Sequence, residues 1–236
     1  MTAQKVLLVG ISGCSSSGKT TLAKLITKFI PSAVLLHEDD FFKHDEDIPF
    51  DEKFQVSNWD SPDALDLPLF RKELDYIKKT GNISTQLIHN DNHDGNADIA
   101  LDKSTQCKIE ETFAAAFRNS NVKVVIVDGF MMYHDQELFE KFDLRVLIRA
   151  PYSTLKKRRA ARSGYKTLET FWVDPPFYFD EFVYKSYRDS HAHLFENGDV
   201  EGKLRADSDV YSYKNDDGVD INEALIWLCD RIVTLR

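Results

Sequence analysis

The chain has 236 residues, 30 basic and 39 acidic, a formal net charge of −9, with 42% hydrophobic and 12% aromatic side chains. That length spans one to two average domains, and the apolar content supports a sizeable core, so a disordered chain is excluded. The acidic balance argues against non-specific binding to a phosphate backbone, while leaving room for a local basic pocket around one small anion. Cys14, Cys107 and Cys229 lie far apart with no CxxC pair, as expected of a reduced intracellular protein rather than a disulfide or zinc scaffold. The apolar run Val6–Val9 is too short for a signal peptide or a membrane span. A soluble protein is expected, cytoplasmic, with the nucleus left open as a second compartment, and with no nucleic-acid or membrane partner.

Lys5 to Ile11 is apolar and β-branched without polar alternation, the pattern of a buried strand. Leu22, Leu25, Ile26, Phe29 and Ile30 repeat at helical spacing over Gly18 to Ile30, and Pro31 ends the run. Ala33 to Leu36 predicts a second strand, leading into the acidic His37-Glu38-Asp39-Asp40. Ser61-Pro62 has the form of an N-cap with proline in the first turn. The helical pattern continues over Leu69 to Lys79, broken or kinked near Pro68 and closed by Gly81. Lys123 to Val127 is the most apolar strand and Leu144 to Ile148 another; a basic helix follows Pro151. Further helices are expected over Phe179 to Phe195 and Ile221 to Leu235. Two polar stretches interrupt the rhythm: an exposed insertion at about 90–106 and a loop from Ala206 to Asp220. The alternation implies βαβ units, a parallel sheet with helices on both faces. Without internal repeats or a Gly/Ser/Pro linker, a single domain over residues 1–236 is expected.

Gly13-Cys14-Ser15-Ser16-Ser17-Gly18-Lys19-Thr20 matches GxxxxGK[ST] in full, between a strand and an amphipathic helix. Glycines let such a loop wrap closely around phosphate oxygens, and its backbone N–H groups and the helix N-terminus face the anion. Lys19 can reach the β/γ-phosphates, and the Thr20 hydroxyl is placed to ligate Mg²⁺, so ATP and Mg²⁺ are the expected cofactors. Cys14 sits where the backbone matters more than the thiol. Val124-Val125-Ile126-Val127-Asp128 is an apolar strand ending in a carboxylate, at the sheet edge where ligands bind, so Asp128 is a second candidate metal ligand.

Lys156-Lys157-Arg158-Arg159-Ala160-Ala161-Arg162 concentrates five cations in seven residues of an otherwise acidic chain. Arg158 and Arg162 share a helix face, and cations here could neutralise charge on a transferring phosphoryl group. Asp39 and Asp40 supply carboxylates after the second strand, and such a group can take the proton of a hydroxyl acceptor. Trp59 beside Asp60 could stack on a flat base and bind sugar hydroxyls. His89 and His93 stand in an Asn/Asp-rich stretch without clear helical periodicity and are not expected to hold a metal. The chain contains no NKxD guanine-reading motif, which weighs against a P-loop GTPase or ATPase switch, the reading from a different class.

The ordered set GCSSSGKTT, HEDDFFK, NWDSP, VVIVDGF, LKKRRAARSGY and FWVDPPFYFDEFVY resembles the nicotinamide riboside kinases, close to their fungal form, with uridine kinases as broader relatives. The resemblance covers roughly Lys5 to Gly202. It implies a three-layer α/β/α P-loop NTPase fold with a mainly parallel five-stranded sheet and a helical lid at about 151–166. It also implies phosphorylation of the ribose 5′-hydroxyl of nicotinamide riboside, and of nicotinic acid riboside, to the mononucleotide in NAD biosynthesis, by a monomer. By position, Asp39 matches the general base, favoured over Asp40, and Asp60 and Arg159 match residues holding the 2′- and 3′-hydroxyls. Trp59 stands where a tyrosine often stacks on the nicotinamide ring, and Tyr165 matches the opposite wall. Arg158 and Arg162 match lid residues near the phosphates, and Thr21 follows the phosphate loop. Asp128 replaces a glutamate found in some members, a shorter carboxylate suited to hold Mg²⁺ through water. Gly164 is an extra residue before Tyr165. The same-class alternative is a uridine/cytidine kinase.

Overall fold

The unbroken apolar character of β1 (Lys5–Ser12) puts it at the centre of the sheet, buried beyond its first residue. The computed structural model describes residues 4–84, 99–118 and 120–235. In chain order β1 is followed by α1 (Lys19–Thr27), β2 (Val34–His37), and a short antiparallel pair β3 (Phe50–Asp51) and β4 (Val56–Ser57). Next come α2 (Leu67–Thr80), α3 (Lys103–Phe117), β5 (Val122–Gly129), α4 (Gln136–Phe139), β6 (Leu144–Arg149) and α5 (Tyr152–Ala160). A second antiparallel pair, β7 (Tyr165–Lys166) and β8 (Phe171–Trp172), precedes α6 (Lys185–His191), β9 (Tyr211–Lys214) and α7 (Ile221–Val233).

The central sheet has the order β2-β5-β1-β6-β9, with every neighbouring pair parallel. Helices α1, α3 and α7 bury Leu22, Ile26, Phe113 and Leu228 on one face, against Val9, Ile11, Ile126 and Val146. The other face packs Val6, Leu8, Val125 and Val127 against Phe70, Leu74 and Ile77 of α2, Leu155 of α5 and the aromatic run around Tyr178. The expected three-layer α/β/α arrangement with five parallel strands is the one observed. Register matters for function. Ile11 pairs with Asp128 and Asp128 with His37, so the carboxyl ends of β1, β2 and β5 lie together on one edge. Among the described residues no helix is long and apolar enough to cross a membrane.

Several local expectations need correction. The polar stretch 206–220 contains β9, the fifth strand, pairing Val146↔Tyr211 through Arg149↔Lys214. As an edge strand it is hydrogen-bonded on one side only and shows no buried residue, so no apolar run announced it. Helix α3 begins inside the supposed insertion 90–106. Residues 90–98 of that stretch, with His89 and His93, lie outside the described residues. Helix α1 ends at Thr27 rather than Ile30, because the chain tightens into bonds from Lys28 to Leu25 and Phe29 to Ile26. Ile30 stays buried, which explains the helical spacing of its apolar side chain. The chain from Pro62 makes one 3₁₀ turn and restarts at α2, capped by Asp66 with Pro68 in the first turn. Gly81, in a left-handed conformation, closes α2 as expected. The helix expected over 179–195 opens with a π-helical segment, Phe179–Tyr184. Its wider turn lets Phe179, Phe182 and Val183 all face the core.

Candidate active site

The loop between β1 and α1 wraps tightly. Gly13 has φ 151°, and a Cβ there would overlap the carbonyl oxygen of Ile148, so only glycine lets the loop lie against β6. Asn215, just beyond β9, donates through Nδ2 to the Ser17 carbonyl at 2.8 Å and holds the loop from outside. Behind it, Ser12 Oγ lies 3.4 Å from Nε2 of the buried His191, whose Nδ1 lies 3.0 Å from the Tyr187 carbonyl. Burial holds His191 down to about 3, so this ring is neutral. The hydroxyls of Ser16 and Ser17 are buried without a hydrogen-bond partner among the described residues. Such orphan donors beside the buried Lys19 fit a bound polyanion. Cys14 is inert: burial pushes its thiol up to about 12.

Opposite Lys19 stands a group of acids. Thr20 Oγ1 donates to Asp128 Oδ2 at 2.5 Å, which sets side by side two oxygens suited to a hard divalent cation. His37 Nδ1 bonds the other Asp128 oxygen. Burial lowers the affinity of this imidazole for its proton, but the bond and charge of Asp128, with Asp39 and Asp40, raise it above the ordinary value. Glu38 is fully buried, and its Oε2 accepts from the N–H groups of Phe130 and Met131 at 2.7 and 2.9 Å. Burial pushes its carboxyl up to about 8, against the pull of those donors. Gly129 is required here, since a Cβ would overlap the Glu38 carboxylate. Glu38 thus fixes the chain just after Asp128. Asp39, half-buried on the neighbouring cleft wall, is raised by burial and by Asp128, while Lys19 opposes the shift.

The cleft above these groups has a volume of about 350 Å³. Its far half is built around Arg159, only 7% exposed. This guanidinium donates Nε and Nη2 to Asp174 at 2.6 and 3.0 Å, Nη1 to Ser15 Oγ at 2.7 Å, and Nη2 to Asp60 at 3.5 Å. It also lies 4.3 Å from the centre of the Tyr165 ring. Burial raises the Asp60 carboxyl while Arg159 opposes it. Trp59, Phe42, Phe130, Tyr165 and Trp172 supply aromatic walls. Trp59 meets Phe42 edge-on at 5.7 Å and Trp172 at 6.4 Å.

Of the residues singled out from the sequence, Ser15, Lys19, Thr20, Asp39, Trp59, Asp60, Arg159, Arg162 and Tyr165 line this one cleft. Arg162 lies 5.3 Å from the Tyr165 ring centre and donates to its hydroxyl at 3.3 Å. Arg158 points elsewhere, donating to the Asn215 carbonyl at 2.9 Å and to Asp217 at 3.1 Å. Asp40 shares the turn of Asp39 and Thr21 the first turn of α1, and neither lines the cleft. Sequence reasoning missed His37, Asp174 and Trp172. Asp174 and Trp172 belong to FWVDPP, quoted without a role; Trp172 Nε1 donates to Asp174 at 2.8 Å.

No family model matches the chain. It is 52% identical to the nicotinamide riboside kinase of Saccharomyces cerevisiae, over all of this chain and 99% of that protein. It is 41% identical to the nicotinamide riboside kinase of Schizosaccharomyces pombe, over 85% of this chain and 86% of that one. A uridine kinase of Borreliella burgdorferi is 32% identical over 66% of each chain.

Proposed function

The chain belongs to the nicotinamide riboside kinase family, and from that premise we propose that it transfers the γ-phosphoryl group of ATP to the ribose 5′-hydroxyl of nicotinamide riboside. The observation that carries this reading at the level of residues is one cleft. It joins the phosphate loop's Lys19 and Thr20 to Asp39 at one end and to Asp60, Arg159 and aromatic walls at the other.

The loop backbone, the Ser16 and Ser17 hydroxyls and Lys19 bind the phosphates, with Arg162 facing them from the lid. Thr20 and Asp128 would hold Mg²⁺, which when bound neutralises charge on the β- and γ-phosphates. Asp60 and Arg159 bind the 2′- and 3′-hydroxyls, and Trp59 and Tyr165 flank the ring. Asp39 orients the 5′-hydroxyl and accepts its proton as the bond from O5′ to the γ-phosphorus forms. The bond from that phosphorus to the bridging oxygen breaks, and the electron pair leaves on ADP. Such transfers depend mainly on positioning and charge stabilisation. Lys19 and Arg162, which line the same cleft, support in-cis phosphoryl transfer over a switch that awaits a protein partner.

The reading is tested by incubating the enzyme with ATP–Mg²⁺ and a nucleoside panel, read by product mass. Nicotinamide riboside should gain one phosphoryl group, with nicotinic acid riboside as a second substrate. ATP hydrolysis indifferent to every nucleoside would overturn it. Trp59→Ala is expected to raise KM for the riboside by about tenfold, since base–aromatic stacking contributes about 1–3 kcal/mol. KM for ATP should stay unchanged in the same steady-state assay, and an unchanged riboside KM would remove Trp59 from the ring site.

A further inference from the structure

The nucleoside half of the cleft is walled by a very small hairpin. Strands β7 and β8 pair only Tyr165 with Trp172 and Lys166 with Phe171. In the turn between them Thr167 N donates to the Thr170 carbonyl at 3.0 Å, and Thr170 N donates to Thr167 Oγ1 at 2.8 Å. A two-stranded ribbon of this length is not stable by itself in water. Yet Tyr165, Lys166, Thr167, Leu168, Phe171 and Trp172 all line the cleft, so their placement needs an anchor. At the base Arg159 serves, lying against Tyr165 and bonded to Asp174 beyond β8.

The tip is held by the segment that follows Asp39 and Phe42 of the cleft wall. Asp45, in the 3₁₀ turn that follows the Asp39 segment, accepts on Oδ2 from Thr167 Oγ1 at 2.6 Å and from Thr170 Oγ1 at 2.8 Å. The two hydroxyls also lie 3.0 Å from each other, and Thr167 Oγ1 accepts from the Thr170 N–H. Thr167 is buried beneath the contact. The other Asp45 oxygen is itself buried with no partner among the described residues. Hydrogen bonds to a charged acceptor are stronger than neutral ones. The neighbouring His44–Glu169 contact is exposed on both sides and adds little.

We propose that Asp45 is a positioning residue that latches the hairpin tip in place, and so sets how tightly the riboside is held without affecting ATP. The substrate named here rests on the function proposed above. Asp45 touches none of the reacting groups and acts through Tyr165 and Trp172, which the latched hairpin carries.

The test compares Asp45→Ala, Asp45→Asn and the Thr167→Val/Thr170→Val double variant of the full chain. Steady-state kinetics with nicotinamide riboside and ATP are combined with hydrogen exchange of the 165–172 amides. Asp45→Ala should raise the riboside KM by about tenfold, leave the ATP KM within about twofold, and speed exchange across the hairpin. Asp45→Asn keeps an oxygen acceptor and should recover most of the riboside affinity. The double threonine variant should match Asp45→Ala, and adding Asp45→Ala to it should change little, because both break the same contact. Unchanged exchange in Asp45→Ala overturns the latch whatever the substrate. So does a riboside KM that stays put, or that rises in step with the ATP KM. A wild-type enzyme that fails to phosphorylate the riboside would instead defeat the proposed function, while hydrogen exchange would still decide the latch.

Discussion

Replacing Asp39 by alanine is expected to lower kcat by about 10²–10⁴-fold, the range for loss of a positioned general base, with ATP affinity nearly intact. A ribose hydroxyl is a poor nucleophile until its proton is drawn away in the transition state. Asp39 stands on the cleft wall beside Lys19, Thr20 and His37. Burial and the Asp128 charge raise its proton affinity above that of an ordinary aspartate, which brings it nearer to the operating pH. Lys19 pulls the other way. In the proposed scheme the nucleotide is held by the loop backbone, to which Asp39 contributes nothing. Single-turnover kinetics and calorimetric ATP binding on Asp39→Ala and Asp39→Asn separate the two effects. The asparagine variant preserves shape and loses the base, so it should fall with the alanine variant. Near-normal turnover in either would remove Asp39 from the mechanism.

Arg159→Met should damage both stability and binding. The guanidinium bridges Asp60 and Asp174 in a setting where Arg159 is 7% and Asp60 5% exposed. Removing one partner of such a cluster leaves uncompensated buried charge and costs about 3–5 kcal/mol. At roughly 2–4 °C per kcal/mol for a chain of this size, Tm should fall by about 6–20 °C. The pH dependence has a definite sign. Burial already raises Asp60 against the pull of Arg159, so without Arg159 its folded-state value climbs further. A carboxyl raised on folding stabilises below its unfolded value and loses that contribution as pH rises through the folded value. The deficit of the variant should therefore grow from acidic to neutral pH and narrow as pH falls toward about 4, the ordinary aspartate value. Urea melts at several pH values measure it. A pH-independent deficit would show that packing, not charge, holds the cluster. With Asp60 left unpaired, the riboside KM should rise as well.

The parts of this architecture written in contiguous sequence are legible in the sequence itself. The phosphate loop announces itself because each of its positions answers a local demand, as Gly13 shows against the Ile148 carbonyl. Asp128 was readable because an apolar central strand must end in something, and here it ends in a carboxylate facing Thr20. Asp39, Asp60 and Arg159 needed the resemblance, since a short acidic run or a basic helix is ordinary on a surface. What stayed hidden depends on partners distant in sequence. Asp174 is one aspartate among many until Arg159 meets it across a lid hairpin. His37 looks like a strand-end residue until the β2–β5 register sets it against Asp128. β9 escaped notice because an edge strand needs no apolar run, and Asn215 beyond it reaches the phosphate loop only through the tertiary fold. Arg158 shows the reverse. Its place in a basic run suggested the phosphates, whereas its hydrogen bonds run to Asn215 and Asp217.

The central claim is that the cleft receives a cationic pyridine nucleoside and phosphorylates its ribose. A single coupled assay comparing kcat/KM for nicotinamide riboside and for uridine, with ATP–Mg²⁺ saturating, addresses it most directly. The aromatic walls of Trp59 and Tyr165 predict a preference for the riboside of at least about tenfold, on the scale one ring contact provides. A preference for uridine would contradict the account.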